Sequence, residues 1–348
     1  MALSIKNQEI IGEIDNLQDK LDGRIPIDRL ELLVLVNSWG RNAYILTQNE
    51  IKDNNLEFCI DNCEPKECYD LSKLDVSQIT NMDSIFEHSN YNGDIGNWDV
   101  SNVTSMFKMF AFNREFNSPL NNWDVSNVKN IKEMFSNCIK FNQNLNNWDT
   151  SNVVNMIKVF SKAKVFNGDI SNWDVSNVTS MSSMFFETKE FNQDLNNWDT
   201  SNVNNMEGMF KYTEKFNQPL KFDTSSVTDM SYMFYNAKSF NQPLNFDTSN
   251  VTNMRYMFYA AINFNQLLNF NTSEVTNMSN MFYEAISFNQ PLNFDISSVI
   301  NMKRMFYYAK EFTKKYNNDY KLSNETDDIK EWFNFNRERM NDIDIKEE

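Results

Sequence analysis

The chain has a single histidine, His88, among its 348 residues, and it lacks the common sequence motifs of catalysis. It has no glycine-rich phosphate loop, no G-x-S-x-G nucleophile motif and no H-E-x-x-H zinc motif. Acidic residues recur at repeat positions and do not converge as a distinctive pair. Because no set of residues with complementary catalytic roles is present, we expect a protein that is not an enzyme and that needs no cofactor.

Cysteine is also scarce, with four residues in the whole chain. This number indicates thiols in a reducing compartment and not a disulfide framework. Cys59, Cys63 and Cys68 form a C-x3-C-x4-C cluster, and His88 follows twenty residues after Cys68. Zinc sites usually show a clear second pair of ligands. We therefore favour free thiols packed in a cap, with metal binding by the cluster as the alternative.

Positively charged residues are outnumbered by acidic ones, and long apolar runs are missing. There are 32 Lys and Arg against 48 Asp and Glu, a formal charge of −16. Binding to nucleic acid or to an anionic membrane surface requires clustered cations, so both are disfavoured. The longest apolar stretch, 30–36, is interrupted by Glu31 and is far shorter than the roughly 20 residues of a transmembrane helix. The amino-terminal sequence does not read as a signal peptide. We expect a cytoplasmic or virion-associated protein without membrane insertion.

What the chain does contain is a repeat close to W-D-T-S-N-V-T-N-M-x-x-M-F-x-x-A-x-x-F-N-Q-P-L-N. Its ten anchor phenylalanines follow one another at steps of 24 or 25 residues: Phe86, Phe110, Phe135, Phe160, Phe185, Phe210, Phe234, Phe258, Phe282 and Phe306. Periods of roughly 20 to 30 residues are typical of solenoids, in which each repeat packs only against its neighbours.

Within each repeat the spacing of apolar residues predicts one short helix and one short strand. Val128, Ile131 and Phe135 lie at i, i+3 and i+7, the spacing of one helix face. Leu220 and Phe222 are two residues apart, as on the inner face of a strand. The units that contain tryptophan have a spacing of three here, which predicts a β-bulge. We also expect the recurrent Asn to satisfy backbone groups of neighbouring coils, and the recurrent Asp to accept hydrogen bonds at helix starts.

Three segments follow from these patterns. Residues 1–70 form a helical amino-terminal cap or small domain, with Leu17 and Leu21 on one helix face and Gly23 as its C-cap. Residues 71–312 form the repeat array. Residues 313–348 form a capping helix, with Thr326 as N-cap and Trp332 facing the array, followed by an acidic tail.

The M-x-x-M-F and F-N-Q-x-L-x-x-W-D-x-S-x-V-T phrases resemble the BspA-like, leucine-rich-repeat-related surface-protein repeat, over roughly residues 71–312. This repeat occurs in mycoplasma lipoproteins, other bacterial surface proteins and giant DNA viruses. The resemblance implies a leucine-rich-repeat-like solenoid that binds proteins. The predicted fold class is therefore α/β: a right-handed leucine-rich-repeat-like solenoid of about ten coils, each one short strand plus one short helix, with helical caps.

The leading functional hypothesis is a monomeric, non-enzymatic scaffold that presents an extended surface to a protein partner. Specificity requires positions that differ between repeats, and five are selected: Tyr232, Arg255, Tyr256, Lys303 and Arg304. The tyrosines could instead pack between neighbouring elements. Two alternatives remain: an F-box-like adaptor that recruits a partner through residues 1–70, and a structural or adhesive component of a virion or cell surface.

Overall fold

The computed structural model describes residues 14–36, 70–316 and 325–343, and the side chains of the last segment as far as residue 334. The helices in these ranges are α1 (Leu17–Leu21), α2 (Arg29–Val36), α3 (Lys310–Tyr316) and α4 (Thr326–Ile343). The chain divides into two compact units, Met1–Asp174 and Val175–Glu348, called unit 1 and unit 2 below. All four helices lie before or after the repeats.

The predicted α/β fold with a helix in every coil is wrong. Between residues 70 and 309 the described chain forms turns and isolated parallel bridges, with no helix and no strand. Isolated bridges do join successive coils within each unit, and most of them recur at one repeat position. In unit 1 these bridges join Asn81 to Ser105, Ser105 to Asn130, and Asn130 to Asn155. Each unit is thus a stack of coils without regular secondary structure.

Alternating hydrogen bonds explain why no helix forms. In the segment 106–113, the N–H groups of Met106, Lys108 and Phe110 donate to carbonyls of the next coil at 2.9–3.0 Å. The intervening N–H groups of Met109 and Ala111 donate three residues back within their own coil, at 3.1 and 2.9 Å. The segment is therefore a series of overlapping β-turns. Because every second N–H donates to the next coil, the i→i−4 bonds of a helix cannot be completed.

Left-handed residues close these turns. Lys108 and Phe112 have φ values of 55° and 60°, and equivalent residues in the other coils have values of 49–61°. In the first turn the left-handed residue is the third of four, as in a type II turn. Non-glycine residues rarely adopt this conformation. Here it recurs in every coil because the bonds to neighbouring coils fix it.

The predicted inward strand pairs are buried but do not form strands. Leu220 and Phe222 are each 5% exposed, and Leu220 forms only an isolated bridge to Leu244. The predicted bulge in the tryptophan units is also wrong. The N–H of Trp123 donates to the carbonyl of Leu120 at 3.1 Å, so the additional residue closes a β-turn.

The core of each unit consists of stacked aromatic rings. In unit 1 the anchor rings Phe110, Phe135 and Phe160 are fully buried and follow one another at 5.6 Å. In unit 2 the anchor rings from Phe185 to Phe306 follow at 5.6–5.8 Å. The predicted core role of the repeat phenylalanines and tryptophans is confirmed.

The Asn prediction is confirmed in both units. The Oδ1 of Asn117 accepts from the N–H of Asn142 at 2.9 Å, and the Oδ1 of Asn241 accepts from the N–H of Asn265 at 2.9 Å. The recurrent Asp side chains of both units accept instead from the N–H two residues ahead in their own coil, as Asp124 does from Ser126 at 3.0 Å and Asp247 from Ser249 at 2.9 Å. These carboxylates therefore cap turns, not helices.

At the carboxyl-terminal end, Trp332 of α4 is fully buried and packs 5.8 Å from Phe306 and 5.6 Å from Phe312. Thr326 was predicted as the N-cap of this helix. It is instead the first helical residue, and its Oγ1 accepts from the N–H of Met302 at 3.2 Å. The boundaries predicted at residues 70 and 312 stay predictions, because residues 37–69 and 317–324 lie outside the described ranges.

Candidate functional site: a tyrosine surface with two cations

Unit 2 carries a group of tyrosines on the turn segment of consecutive coils, which we call the tyrosine surface. Its members follow the first methionine of each M-x-x-M-F phrase by two, five or six residues: Tyr212, Tyr232, Tyr235, Tyr256, Tyr259, Tyr283, Tyr307 and Tyr308. Because side chains at the same position of neighbouring coils stand side by side, the rings form rows. Seven of the eight rings are partly buried, and Tyr308 is 55% exposed.

The rings stack closely along these rows. Tyr232 and Tyr256 are 4.8 Å apart between ring centroids, at an interplanar angle of 5°. In the second row Tyr235 lies 4.4 Å from Tyr259, and Tyr259 lies 4.5 Å from Tyr283. These distances are close to the roughly 4.8 Å at which paired backbones lie, so the coil geometry holds the rings in contact. Burial raises the pKa of the Tyr232, Tyr235 and Tyr259 hydroxyls.

Two cations lie against the first row. The Lys211 Nζ is 4.3 Å from the ring centroid of Tyr232 and 4.8 Å from that of Tyr235. The Cζ of Arg255 is 5.2 Å from the centroid of Tyr232. All three distances fall within the range of cation–π attraction. Burial lowers the pKa of the Lys211 ammonium, and the positive charge of Arg255 lowers it further.

Gly208 lies beside the stem of Lys211. It occupies the position that Tyr232 and Tyr256 occupy in the next two coils, and all three residues have φ values of 58–60°. A Cβ atom at Gly208 would lie 3.7 Å from the Cδ of Lys211, an ordinary van der Waals contact. The lysine stem therefore packs next to Gly208, and its ammonium group lies over the ring of Tyr232.

The structure brings together three of the five predicted site residues. Tyr232, Arg255 and Tyr256 form one cluster. Lys303 is instead exposed and forms an ion pair with Glu325 at 3.3 Å, next to the start of α4. Arg304 is exposed, and its side chain makes no hydrogen bond, ion pair or ring contact within the described residues. The predicted site therefore separates into a tyrosine cluster and a cap-side pair.

Lys211 was missed by sequence reasoning. The phrase M-E-G-M-F, in which glycine stands where the next two coils have tyrosine, is the signal that could have indicated space for its side chain. Lys211 takes the row position that Tyr235, Tyr259 and Tyr283 take in later coils, so comparison of repeats by position would have placed it beside them.

Most residues of the possible metal cluster lie outside the ranges that the structure describes. Cys59, Cys63 and Cys68 fall outside the described residues. His88 stacks on Phe112 at 4.6 Å, and Cys138 is a buried free thiol whose Sγ donates to the carbonyl of Phe110 at 2.8 Å. Where the structure describes the chain, no group of three or more His, Cys, Asp or Glu side chains could hold a metal ion.

Helix α2 contains part of the F-box-like segment. Its residues Leu32, Leu33, Val34, Leu35 and Val36 are all buried. Of the helices in the described ranges, none is both long and apolar enough to cross a membrane.

Comparison with known proteins gives one family match. The sequence matches the family described as Mycoplasma protein of unknown function, DUF285, over residues 54–169, 140–245 and 244–345. No curated protein matches the chain. Among solved structures, one match is the crystal structure of a TLR13-ssRNA13 complex, with 12% identity and a TM-score of 0.24. That match covers 61% of this chain and 41% of the other, and at this TM-score it supports no argument about fold or function.

Proposed function

The chain belongs to the DUF285 family of Mycoplasma proteins of unknown function, and we propose that it is a non-enzymatic scaffold that binds a protein partner. The contact surface is the tyrosine surface of unit 2, with Lys211 and Arg255. One observation supports this choice above others: phenol rings and two cations are held together, partly exposed, at positions that differ from coil to coil.

Tyrosine suits this role for two physical reasons. It offers a large ring and a hydroxyl group on one side chain, and it is enriched in protein interfaces. The rings here are already fixed by stacking at 4.4–4.8 Å. Binding therefore costs less side-chain entropy than it would for free side chains.

The repeated polar positions serve a different purpose. The Asn and Asp side chains accept backbone hydrogen bonds in the same way in successive coils. Groups that are engaged identically in each coil offer a partner little information. We place recognition on the tyrosine surface for this reason.

Two finer proposals accompany this function. The first is that the family match and the BspA-like repeat resemblance describe one lineage of protein-binding repeats. The second is a cytoplasmic or virion-associated setting, for which the free thiol of Cys138 is the supporting observation. Microscopy of the tagged protein in its native setting tests the second proposal.

Two matched variants test the binding surface once a partner has been identified by proximity labelling and purified. Tyr232→Asn/Tyr256→Asn removes both rings of the first row. Asparagine fits the backbone, because Asn280 has the same repeat position with φ 57°. Lys303→Ser/Arg304→Ser changes the cap-side pair.

We expect the tyrosine variant to raise the dissociation constant at least tenfold and the cap-side variant to change it less than twofold. Circular dichroism and thermal melting confirm that both variants fold. Equal affinities for the wild type and the tyrosine variant would refute this surface. The buried apolar side chains of α2 favour a cap over an adaptor, and partner binding that depends on residues 14–36 would reverse that preference.

A further inference from the structure

In unit 2 the two cationic side chains of Lys211 and Arg255 lie beside the same ring, that of Tyr232. We call these three residues and Gly208 the cationic notch. Two other lysines of the unit pair with a carboxylate: Lys189 lies 2.9 Å and Lys238 3.7 Å from the same Glu214. Within the described residues, neither Lys211 nor Arg255 has a carboxylate at ion-pair distance. Two like charges thus lie on one aromatic ring in a chain of net charge −16.

This arrangement is unfavourable in the isolated protein. The pKa of Lys211 is lowered first by burial and then by Arg255, and the nearby negative charge of Glu207 offsets only part of this. Cation–π contacts with Tyr232 and Tyr235 return some of the lost stability. An anion placed between the two cations would relieve their repulsion directly.

Arg255 also carries an unmet hydrogen-bond donor. Its Nε is buried and has no hydrogen-bond partner in the described part of the chain. An unsatisfied buried polar group costs stability, so an incoming oxygen acceptor would gain from this donor.

We propose that the cationic notch binds an acidic side chain, aspartate or glutamate, within a segment of the protein partner. This inference rests on the proposed function and specifies its chemistry. A carboxylate can accept from the Arg255 guanidinium, and the Lys211 ammonium beside the same Tyr232 ring adds to its electrostatic attraction. The apolar atoms next to the carboxylate would then contact the rings of Tyr232 and Tyr256. The two positive charges of the notch favour an acidic segment over a basic one locally. This local attraction acts against the net charge of −16 of the whole chain.

A fluorescein-labelled hexaglutamate peptide tests the proposal by fluorescence anisotropy at about 20 mM salt, where charge interactions are weakly screened. Three full-length proteins are compared: the wild type, Lys211→Gln/Arg255→Gln, and the control Lys215→Gln/Lys221→Gln. The control removes the same charge from two exposed lysines of unit 2. Labelled hexaglutamine serves as the neutral probe.

We expect hexaglutamate to bind the wild type and the control with dissociation constants within twofold, and Lys211→Gln/Arg255→Gln at least tenfold more weakly. Hexaglutamine should not bind. A carbodiimide should couple a glutamate carboxylate of the bound peptide to the amine of Lys211 as an amide. Mass spectrometry of the digested product should locate this cross-link. Equal binding by all three proteins, no binding to the wild type at about 1 mM, or displacement by inorganic phosphate as efficient as by unlabelled hexaglutamate would overturn the proposal.

The two proposals fail separately. If Tyr232→Asn/Tyr256→Asn abolishes capture of the purified partner and Lys211→Gln/Arg255→Gln leaves it unchanged, the tyrosine surface binds but the partner's contact is not acidic. If neither variant changes capture, the proposed binding surface itself is refuted.

Discussion

Replacement of Trp148 by alanine should destabilise unit 1 by about 3–5 kcal/mol, the usual range for buried tryptophan. The ring is 3% exposed and stacks 6.5 Å from Trp123 and 6.0 Å from Trp173. Its Nε1–H donates to the carbonyl of Leu120 at 2.8 Å. The side chain therefore contributes both apolar burial and one hydrogen bond between coils.

The magnitude follows from these two contributions. Burying about 150–250 Å² of aromatic surface at about 25 cal/mol per Å² gives roughly 4–6 kcal/mol as an upper estimate. The Leu120 carbonyl also loses its donor, at a cost of about 1–3 kcal/mol if no water replaces it. Relaxation of the neighbouring rings reduces the sum, which brings it back to the range seen for buried tryptophan.

Urea denaturation followed by circular dichroism measures this effect, with tryptophan fluorescence as a second probe of whether the transition is two-state. Trp148→Phe is the matched variant, because it keeps an aromatic ring in the stack and loses the Nε1–H donor. We expect it to cost about 1–2 kcal/mol. A loss below about 1 kcal/mol for Trp148→Ala would contradict the packing described for the tryptophan row.

Three further predictions concern the cap and the two polar ladders. Trp332→Ala in α4 should destabilise unit 2 by about 3–5 kcal/mol, measured by thermal melting, because the ring is fully buried against Phe306 and Phe312; an unchanged melting temperature would show that α4 does not cap the coils. Asn241→Ala should lower the free energy of unfolding in urea by about 1–2 kcal/mol, since it removes the acceptor of the Asn265 N–H. The control Asn245→Ala, at an exposed position, should lower it by less than about 0.5 kcal/mol. Equal losses would contradict the stabilising role of the Asn hydrogen bonds between coils. Asp247→Asn should change stability little at pH 7, because Asn271 makes the same bond to Ser273 in its own coil. Hydrogen bonds from Ser249 lower the pKa of Asp247 below its usual 3.8, so the stability that the carboxylate contributes is present above that value and is lost as pH falls through the folded pKa. The variant should therefore lose less stability in acid than the wild type, and acid melting curves that coincide for both proteins would refute this.

Sequence patterns predicted which residues lie inside the coils better than they predicted backbone conformation. Met106, Met109 and Phe110 are buried as expected from their i, i+3, i+4 spacing. Overlapping β-turns bring the same positions inward as a helix does, so this spacing cannot distinguish the two. Glycine or asparagine at the left-handed positions would have distinguished them, but most of these positions hold residues such as Lys108, Phe112 and Tyr232. Gly208, Asn137, Asn236 and Asn280 are the exceptions.

The tyrosine cluster was only partly predictable for a related reason. Residues that vary between coils could be selected from the repeat alignment, and this found Tyr232, Arg255 and Tyr256. The same reasoning included Lys303, whose pairing with Glu325 depends on where α4 begins, and repeat position does not contain that information. It omitted Lys211, whose stem lies beside Gly208 and whose ammonium group lies over Tyr232 of the next coil.

Hydroxyl-radical footprinting of the complex with the purified partner tests the binding surface most directly, because oxidation modifies accessible tyrosine side chains. The proposed function predicts that partner binding reduces oxidation of Tyr232, Tyr256 and Tyr259, while oxidation of Phe107, a partly exposed aromatic residue of unit 1, does not change. Unchanged oxidation of the tyrosine surface, with protection confined to residues 1–70, would contradict the proposal and support the adaptor hypothesis.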